Sequence, residues 1–229
     1  SHRFGRVASR PLADQSLAVS GAYVDVAFVV DAAPGMRGRR THGRQSRASQ
    51  RRCVPAASRT LSHVLLTSFP AGPLQANCYV AARGPGAQCA VVDPGMDAMD
   101  DLRSVVKELN VTPGAVLVTH GHFDHMWCAQ DVAREFGCPV WIHPADRHLL
   151  SDPMAAISGE SAAMLRQQLN LIDLPSFAEP ADVRDALDGA EIDVDGLVFT
   201  VDHVPGHTPG TVFYRVDWDG PEAISQVMF

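Results

Sequence analysis

The sequence of 229 residues is 46% hydrophobic and 20% charged, the balance expected of a soluble globular protein. It contains no run approaching the roughly 18 to 20 consecutive apolar residues that a membrane-spanning helix needs, which excludes such a helix. The five cysteines form no short-spaced motif, so we expect free thiols and a cytoplasmic protein.

Charge is distributed unevenly along the chain. The first 63 residues hold 11 Arg and 3 Asp, a net charge of +8, whereas residues 64–229 carry a net charge of −15. The arginine-rich stretch 37–52 has no apolar face to bury, which favours a solvated arm over a nucleic-acid tether. We therefore predict an arm over residues 1–63, disordered or not part of the domain, and a folded domain over residues 64–229.

From Val64 onward, short apolar runs bounded by Gly and Pro alternate with helical patterns, which indicates an α/β domain. Helices are predicted after Asp97, from a capping Asp124 to Gly137, and over residues 145–150 and 159–169. Asp195-Gly196 is a two-residue hairpin signal. Strands are predicted over residues 64–67, 78–82, 88–93, 115–118, 140–142, 191–194, 197–203 and 211–218.

Three histidines and an aspartate lie within six residues directly after a buried strand: His120, His122, Asp124 and His125. So many such groups on one short loop are explained by a bound cation. In an extended loop His120 and His122 project to the same side and can bind one ion, while Asp124 and His125 point towards a second. Nitrogen and oxygen ligands favour zinc, and iron and manganese are also compatible.

A second motif, Pro-Gly-His-Thr-Pro-Gly at residues 205–210, lies between two predicted strands. Its glycines allow a sharp turn that would carry His207 to the first ion. His203, at the end of the preceding strand, is expected to position the ligands or to be purely structural. For His143, a capping or packing role is at least as well supported as a role in the site.

These two motifs, together with Asn-Cys-Tyr at 77–79 and Val-Val-Asp-Pro-Gly at 91–95, resemble the glyoxalase II-like branch of the metallo-β-lactamase superfamily. The resemblance covers residues 64–229 and implies a four-layer αββα sandwich. It also implies two metal ions, with these ligands and one bracing residue: His120, His122 and His207 on the first ion, Asp124 and His125 on the second, and Asp93 behind the metal loop.

The family's bridging aspartate and its later histidine have no counterpart in this sequence. Residues 224–229 either end before that aspartate or place Gln226 in its position. We therefore expect a fragment whose domain is incomplete in its C-terminal half.

The resemblance implies a hydrolase that cleaves a thioester, such as a hydroxyacyl-thiol, with hydroxide that two zinc ions generate from water. Asp124 would be a ligand and would also orient the water. One alternative is a persulfide dioxygenase with a single iron, which His120 and His207 could serve. Another, expected for the 229-residue chain itself, is a noncatalytic remnant that holds at most one metal. The substrate would be a small molecule, and neither nucleic acid nor a membrane is expected as a partner. The sequence leaves open which thiol the substrate contains and what oligomer the protein forms.

Overall fold

The computed structural model of the chain describes residues 64–157, 163–164, 167, 177–218 and 226–229. The predicted arm over residues 1–63 and most of the predicted helix over residues 159–169 lie outside these ranges, so both stay predictions. None of the described helices has the length and apolar character needed to cross a membrane.

Six strands form the first sheet, in the order β1 to β6 along both the chain and the sheet. The first three strands pair antiparallel, and β3 to β6 pair parallel. Because parallel strands end at the same edge, the residues that follow β3, β4 and β5 lie side by side. The strands are β1 Leu65–Ala71, β2 Ala76–Ala82, β3 Gln88–Val92, β4 Thr112–Leu117, β5 Val140–Ile142 and β6 Val183–Asp185.

Four antiparallel strands form the second sheet, in the order β10-β9-β8-β7. They are β7 Glu191–Val194, β8 Leu197–His203, β9 Val212–Asp217 and β10 Gln226–Met228. The predicted hairpin at Asp195-Gly196 is confirmed, with φ angles of 52° and 81°. Two consecutive left-handed residues are what a two-residue turn between twisted strands requires.

The helices differ from the sequence predictions in one region that matters for the site. α1 spans Ala98–Glu108, but the single helix predicted from Asp124 to Gly137 is wrong and is two helices, α2 (Phe123–Met126) and α3 (Ala129–Phe136). The break has a physical cause, since the backbone N–H of Cys128 donates to the carbonyl oxygen of Pro94 at 2.9 Å and not within a helix.

Two further predictions about helices need correction. Asp124 does not cap α2, because His122 is the residue that precedes the helix and makes no side-chain capping bond. The helix predicted over residues 145–150 is a 3-10 helix at Arg147–Leu150.

The first sheet is buried on both faces. Val91 and Val116 face a cluster formed with α1 and α3, which includes Leu102 and Val132. The next residue of each strand faces the second sheet instead, where Val92 and Leu117 join Phe199 and Tyr214. This double burial explains the continuous apolar run of β4. The described residues thus form three layers, of helices, first sheet and second sheet.

Tyr214 ties the two sheets together beneath the site. The ring is completely buried, and its hydroxyl lies 3.0 Å from the carbonyl oxygen of Val118 and 3.2 Å from that of Trp141. Val212 then donates its backbone N–H to the carbonyl oxygen of Thr119 at 2.8 Å. The start of β9 is therefore fixed to the residues that follow β4.

Candidate metal centre

Three histidines from two separate loops meet at the carboxyl edge of the first sheet. The ligand nitrogens of His120, His122 and His207 all lie within 4.8 Å of one another. Their ring centroids are 4.5 to 4.8 Å apart. His120 is buried, His122 is half-buried and His207 is exposed. We call these three residues the histidine triad; it is anchored in the protein at one end and open to solvent at the other.

The orientation of His120 is fixed from behind by Thr119 and Asp93. The hydroxyl of Thr119 donates to Asp93 Oδ2 at 2.6 Å and lies 2.9 Å from His120 Nδ1. Because this hydroxyl has given its only proton to the carboxylate, it accepts the proton that His120 Nδ1 carries. His120 Nε2 is then left with a lone pair available for a ligand.

Among the described residues His120 Nε2 is buried and has no hydrogen-bond partner. Leaving such a polar atom unpaired costs about 1 to 3 kcal/mol, so a buried, unpartnered nitrogen needs an explanation. A metal ion supplies one, because three imidazole nitrogens converge here and imidazole is a common ligand of zinc and iron. The residues present therefore fit a metal.

A second group consists of Asp93, His120 and His125, whose ligand atoms also lie within 4.8 Å of one another. His125 donates from Nδ1 to Asp93 Oδ2 at 2.9 Å. Its Nε2 lies 3.6 Å from a carboxylate oxygen of Asp124. Asp124 therefore lies beside His125 but belongs to neither of the two candidate metal groups.

The protonation of the histidines suits ligand binding at neutral pH. Burial, followed by the positive charge of His125, lowers the pKa of His120 to about 4. Burial and His207 also lower the pKa of His122. For His125, burial lowers the pKa, but the hydrogen bond and charge of Asp93 outweigh it and the net shift is upward. His120 and His122 are therefore neutral at pH 7, the form that binds metals.

His203 and His143 form a separate pair. Their rings stack with centroids 3.9 Å apart and an angle of 9° between planes. His203 Nε2 lies 3.0 Å from the carbonyl oxygen of Pro209 and so donates to it. The structure brings neither residue into the two candidate metal groups, and His203 holds the loop that carries His207.

Asp146 is the residue of this region that sequence reasoning missed. Its side chain is completely buried and accepts hydrogen bonds from both histidine-bearing loops. The sequence does contain one signal, because Asp146 follows β5, the parallel neighbour of the strand that delivers His120. Parallel neighbours end at one edge, so a polar residue after β5 is a candidate for the same site.

Two surface cavities of about 310 and 350 Å³ lie elsewhere on the described part of the molecule. Gln130 and Pro180 help to line the first, and Phe136 and Trp141 the second. No triad histidine lines either of them. The triad is the stronger candidate site because its three imidazoles converge, whereas neither cavity is lined by a member of the two candidate metal groups.

We expect Thr119→Val to weaken zinc binding by about 10- to 100-fold, the usual effect of losing a partner that orients a metal-binding histidine. Valine keeps the shape of threonine but accepts no proton from His120 Nδ1. The dissociation constant would be measured by competition with a chelator. Thr119→Ser, which keeps the hydroxyl, is the matched control and should bind zinc as the parent chain does. Equal affinity in all three proteins would show that Thr119 does not orient His120.

The family described as "Metallo-beta-lactamase superfamily" matches residues 71–217. An uncharacterized protein of Mycobacterium tuberculosis is 45% identical over 154 residues, which cover 67% of this chain and 66% of that protein. The probable metallo-hydrolase YqgX of Bacillus subtilis is 34% identical over 148 residues, covering 65% of this chain and 64% of YqgX.

More distant matches include a named enzyme and a solved structure. Hydroxyacylglutathione hydrolase GloC of Haemophilus influenzae is 28% identical over 145 residues, covering 63% of this chain and 62% of GloC. The crystal structure of the BLEG-1 B3 metallo-beta-lactamase aligns with a TM-score of 0.53 at 30% identity, covering 67% of each chain. The chain thus spans 62 to 66% of the length of the three curated relatives named here.

Proposed function

The chain belongs to the metallo-beta-lactamase superfamily, and from that membership we propose that it carries the metal site of a hydrolase that cleaves thioesters. The predicted family and α/β fold are confirmed by the family match and by the likeness to the BLEG-1 structure. Most members of the superfamily are metal-dependent hydrolases. The metal identity, the thioester substrate and the roles of single residues belong to the proposal.

The proposal rests on two observations at one place. The three imidazoles of the triad converge, and among the described residues the buried His120 Nε2 has no hydrogen-bond partner. In this proposal, His120, His122 and His207 hold the first metal, and Asp124 and His125 contribute to a second. When bound, such ions lower the pKa of a coordinated water to about 7 and supply a nucleophile at neutral pH. Zinc is the proposed metal, as the ligand types favour it.

The chain's own residues would orient the reactants. Asp93 and Thr119 keep His120 in the tautomer that presents Nε2. Asp124, whose side chain is partly exposed next to His125, offers a carboxylate that can accept a hydrogen bond from an attacking water. The exposed His207 leaves the triad open on one side, where a small molecule can approach.

A thioester fits this set of residues because its leaving group is a thiolate. A free thiol has a pKa of about 8.5, so a thiolate departs without strong assistance from an acid. The 28% identity to hydroxyacylglutathione hydrolase GloC supports the same substrate class. The acidic domain, with a net charge of −15 over residues 64–229, favours a small-molecule substrate over nucleic acid.

The compartment is also part of the proposal. The described cysteines, Cys78, Cys89, Cys128 and Cys138, are all buried and free. Buried free thiols are typical of proteins in a reducing compartment. This supports the proposed cytoplasmic location.

The test is release of thiol from an S-hydroxyacyl-glutathione by the purified full chain loaded with zinc. Thiol release that is lost on chelation and restored by zinc is the result expected of a hydrolase, whereas the noncatalytic remnant expected for the 229-residue chain would release none. A β-lactam is the comparison substrate. Stoichiometric zinc without turnover of any thioester would contradict the proposal and support a noncatalytic metal-binding domain. Oxygen uptake with iron and a persulfide would instead support the dioxygenase.

A further inference from the structure

Asp146 joins the two loops that carry the histidine triad. Its Oδ2 accepts hydrogen bonds from the backbone N–H of Gly121 at 2.9 Å and from the hydroxyl of Thr208 at 2.5 Å. Its Oδ1 accepts from the backbone N–H of Gly210 at 2.9 Å. Gly121 lies between His120 and His122, and Thr208 and Gly210 flank the other end of the site, next to His207. One carboxylate therefore contacts both ligand-bearing loops.

The backbone around Asp146 is itself held in place. Asp146 donates its N–H to the carbonyl oxygen of His143 at 3.0 Å, and its own carbonyl oxygen accepts from Leu149 at 2.9 Å. It thus sits in a closed turn between β5 and the 3-10 helix at Arg147–Leu150. With a fixed backbone and complete burial, the carboxylate has little freedom to follow either loop if that loop moves.

Both loops approach Asp146 through glycines, which allow contact at backbone distance. A Cβ atom on Gly210 would lie 2.6 Å from Asp146 Cγ, closer than real Cβ atoms come. A Cβ atom on Gly121 would lie 3.1 Å from Asp146 Cβ and 2.3 Å from Leu149 Cδ1. Gly121 and Gly210 therefore contribute no side chain where they pack on Asp146, and Thr208 contacts the carboxylate through its hydroxyl.

We propose that Asp146 is a positioning residue that sets the separation of the two loops and so preorganises the histidine triad for its metal. This inference rests on the proposed metal site. A loop that is free to move must be ordered when the metal binds, and preorganisation removes that cost. Asp146 lies outside both candidate metal groups, so its effect would pass through the three hydrogen bonds.

The first test is Asp146→Asn in the full chain. The amide keeps the shape of the carboxylate, but its NH₂ group faces an N–H donor of one loop and cannot accept from it. We expect zinc affinity, measured by chelator competition, to fall by about 10- to 100-fold, the range for partners that orient ligands. We also expect a changed visible absorption spectrum of the cobalt(II)-substituted protein, since that spectrum reports ligand geometry.

Asp193→Asn is the matched control. Asp193 accepts a hydrogen bond from the backbone N–H of Gly196 at 2.6 Å in the β7-β8 hairpin, outside the site. The Asp193→Asn variant should lose some stability while keeping the zinc affinity and the cobalt spectrum of the parent chain. If Asp146→Asn behaves in the same way as this control, the positioning role is wrong and Asp146 only stabilises the fold.

A milder variant covers the case in which Asp146→Asn fails to fold. Thr208→Val removes the hydrogen bond to Asp146 and the 2.8 Å contact of the same hydroxyl with Thr211 Oγ1. We expect the loss of the bond to Asp146 to lower zinc affinity by about 2- to 10-fold, the equivalent of one hydrogen bond. Thr208→Ser should restore the affinity. Unchanged affinity in Thr208→Val would overturn the inference. If the parent chain binds no metal, the proposed function fails together with the inference. If the parent chain binds zinc and the variants bind it equally well, only the inference about Asp146 fails.

Discussion

Replacing His120 by alanine is expected to abolish metal binding at the triad, and any hydrolysis with it. His120 is the one residue shared by the two candidate metal groups, so its loss removes a ligand from both. It is also the most deeply buried of the triad, with 6% of its surface exposed, so solvent does not readily replace its nitrogen. Zinc affinity should fall by more than the roughly 100-fold that loss of an orienting partner can cost.

Elemental analysis of zinc per chain after dialysis measures this effect. His148→Ala is a suitable control, because His148 is an exposed histidine of the 3-10 helix and belongs to neither metal group. The control should retain the zinc content and activity of the parent chain. Undiminished zinc in His120→Ala would refute the assignment of the site.

The histidine motif could be predicted from sequence because its members are close together in the chain. His120, His122 and His125 lie within six residues of the sequence, and the glycines at 206 and 210 mark the second loop, which carries His207. Such patterns depend on local geometry alone. The structure then brings His207 to His120 and His122, and the start of β9 is held there by the hydrogen bond from the Val212 N–H to the carbonyl oxygen of Thr119.

The role of Asp146 could not be predicted in this way. It depends on the order of the strands, which places β5 next to β4, and on a loop that returns from the second sheet. The contact of Asp93 with both Thr119 and His125 likewise crosses from β3 to the loop after β4. Local periodicity carries no information about which strands lie side by side. In the sequence, Asp146 falls within the helix predicted over residues 145–150, where a polar residue needs no special role.

The break between α2 and α3 was missed for a related reason. The apolar stripe that includes Met126, Ala129 and Val132 has helical spacing throughout, so a single helix is the local interpretation. A tertiary hydrogen bond from Cys128 to Pro94 overrides it. The result is a short α2 whose first turn carries Asp124 and His125 against the loop that follows β3.

Next to Pro94, Gly95 is the glycine, among those in the described part of the chain, whose added Cβ atom would come closest to another atom. A Cβ atom on Gly95 would lie 2.1 Å from the backbone oxygen of Asp124 and 3.4 Å from the Cβ of Ala71. Backbone atoms cannot rotate away as a side chain does, so either the loop or α2 must shift. We expect Gly95→Ala to lower the free energy of unfolding by about 1 to 3 kcal/mol, the usual cost of overpacking.

The shift should also reach the metal site, because Asp124 and His125 move with α2. Urea unfolding of the metal-free chain, followed by circular dichroism, measures the stability, and chelator competition measures zinc affinity.

Gly206→Ala is the matched control for stability, since a Cβ atom there meets nothing within 4 Å. It should change the free energy of unfolding by no more than about 0.5 kcal/mol. Identical unfolding midpoints for the two variants would mean that the β3 loop does not fix the position of α2. A loss of stability with intact zinc affinity would mean instead that the metal centre does not depend on that position.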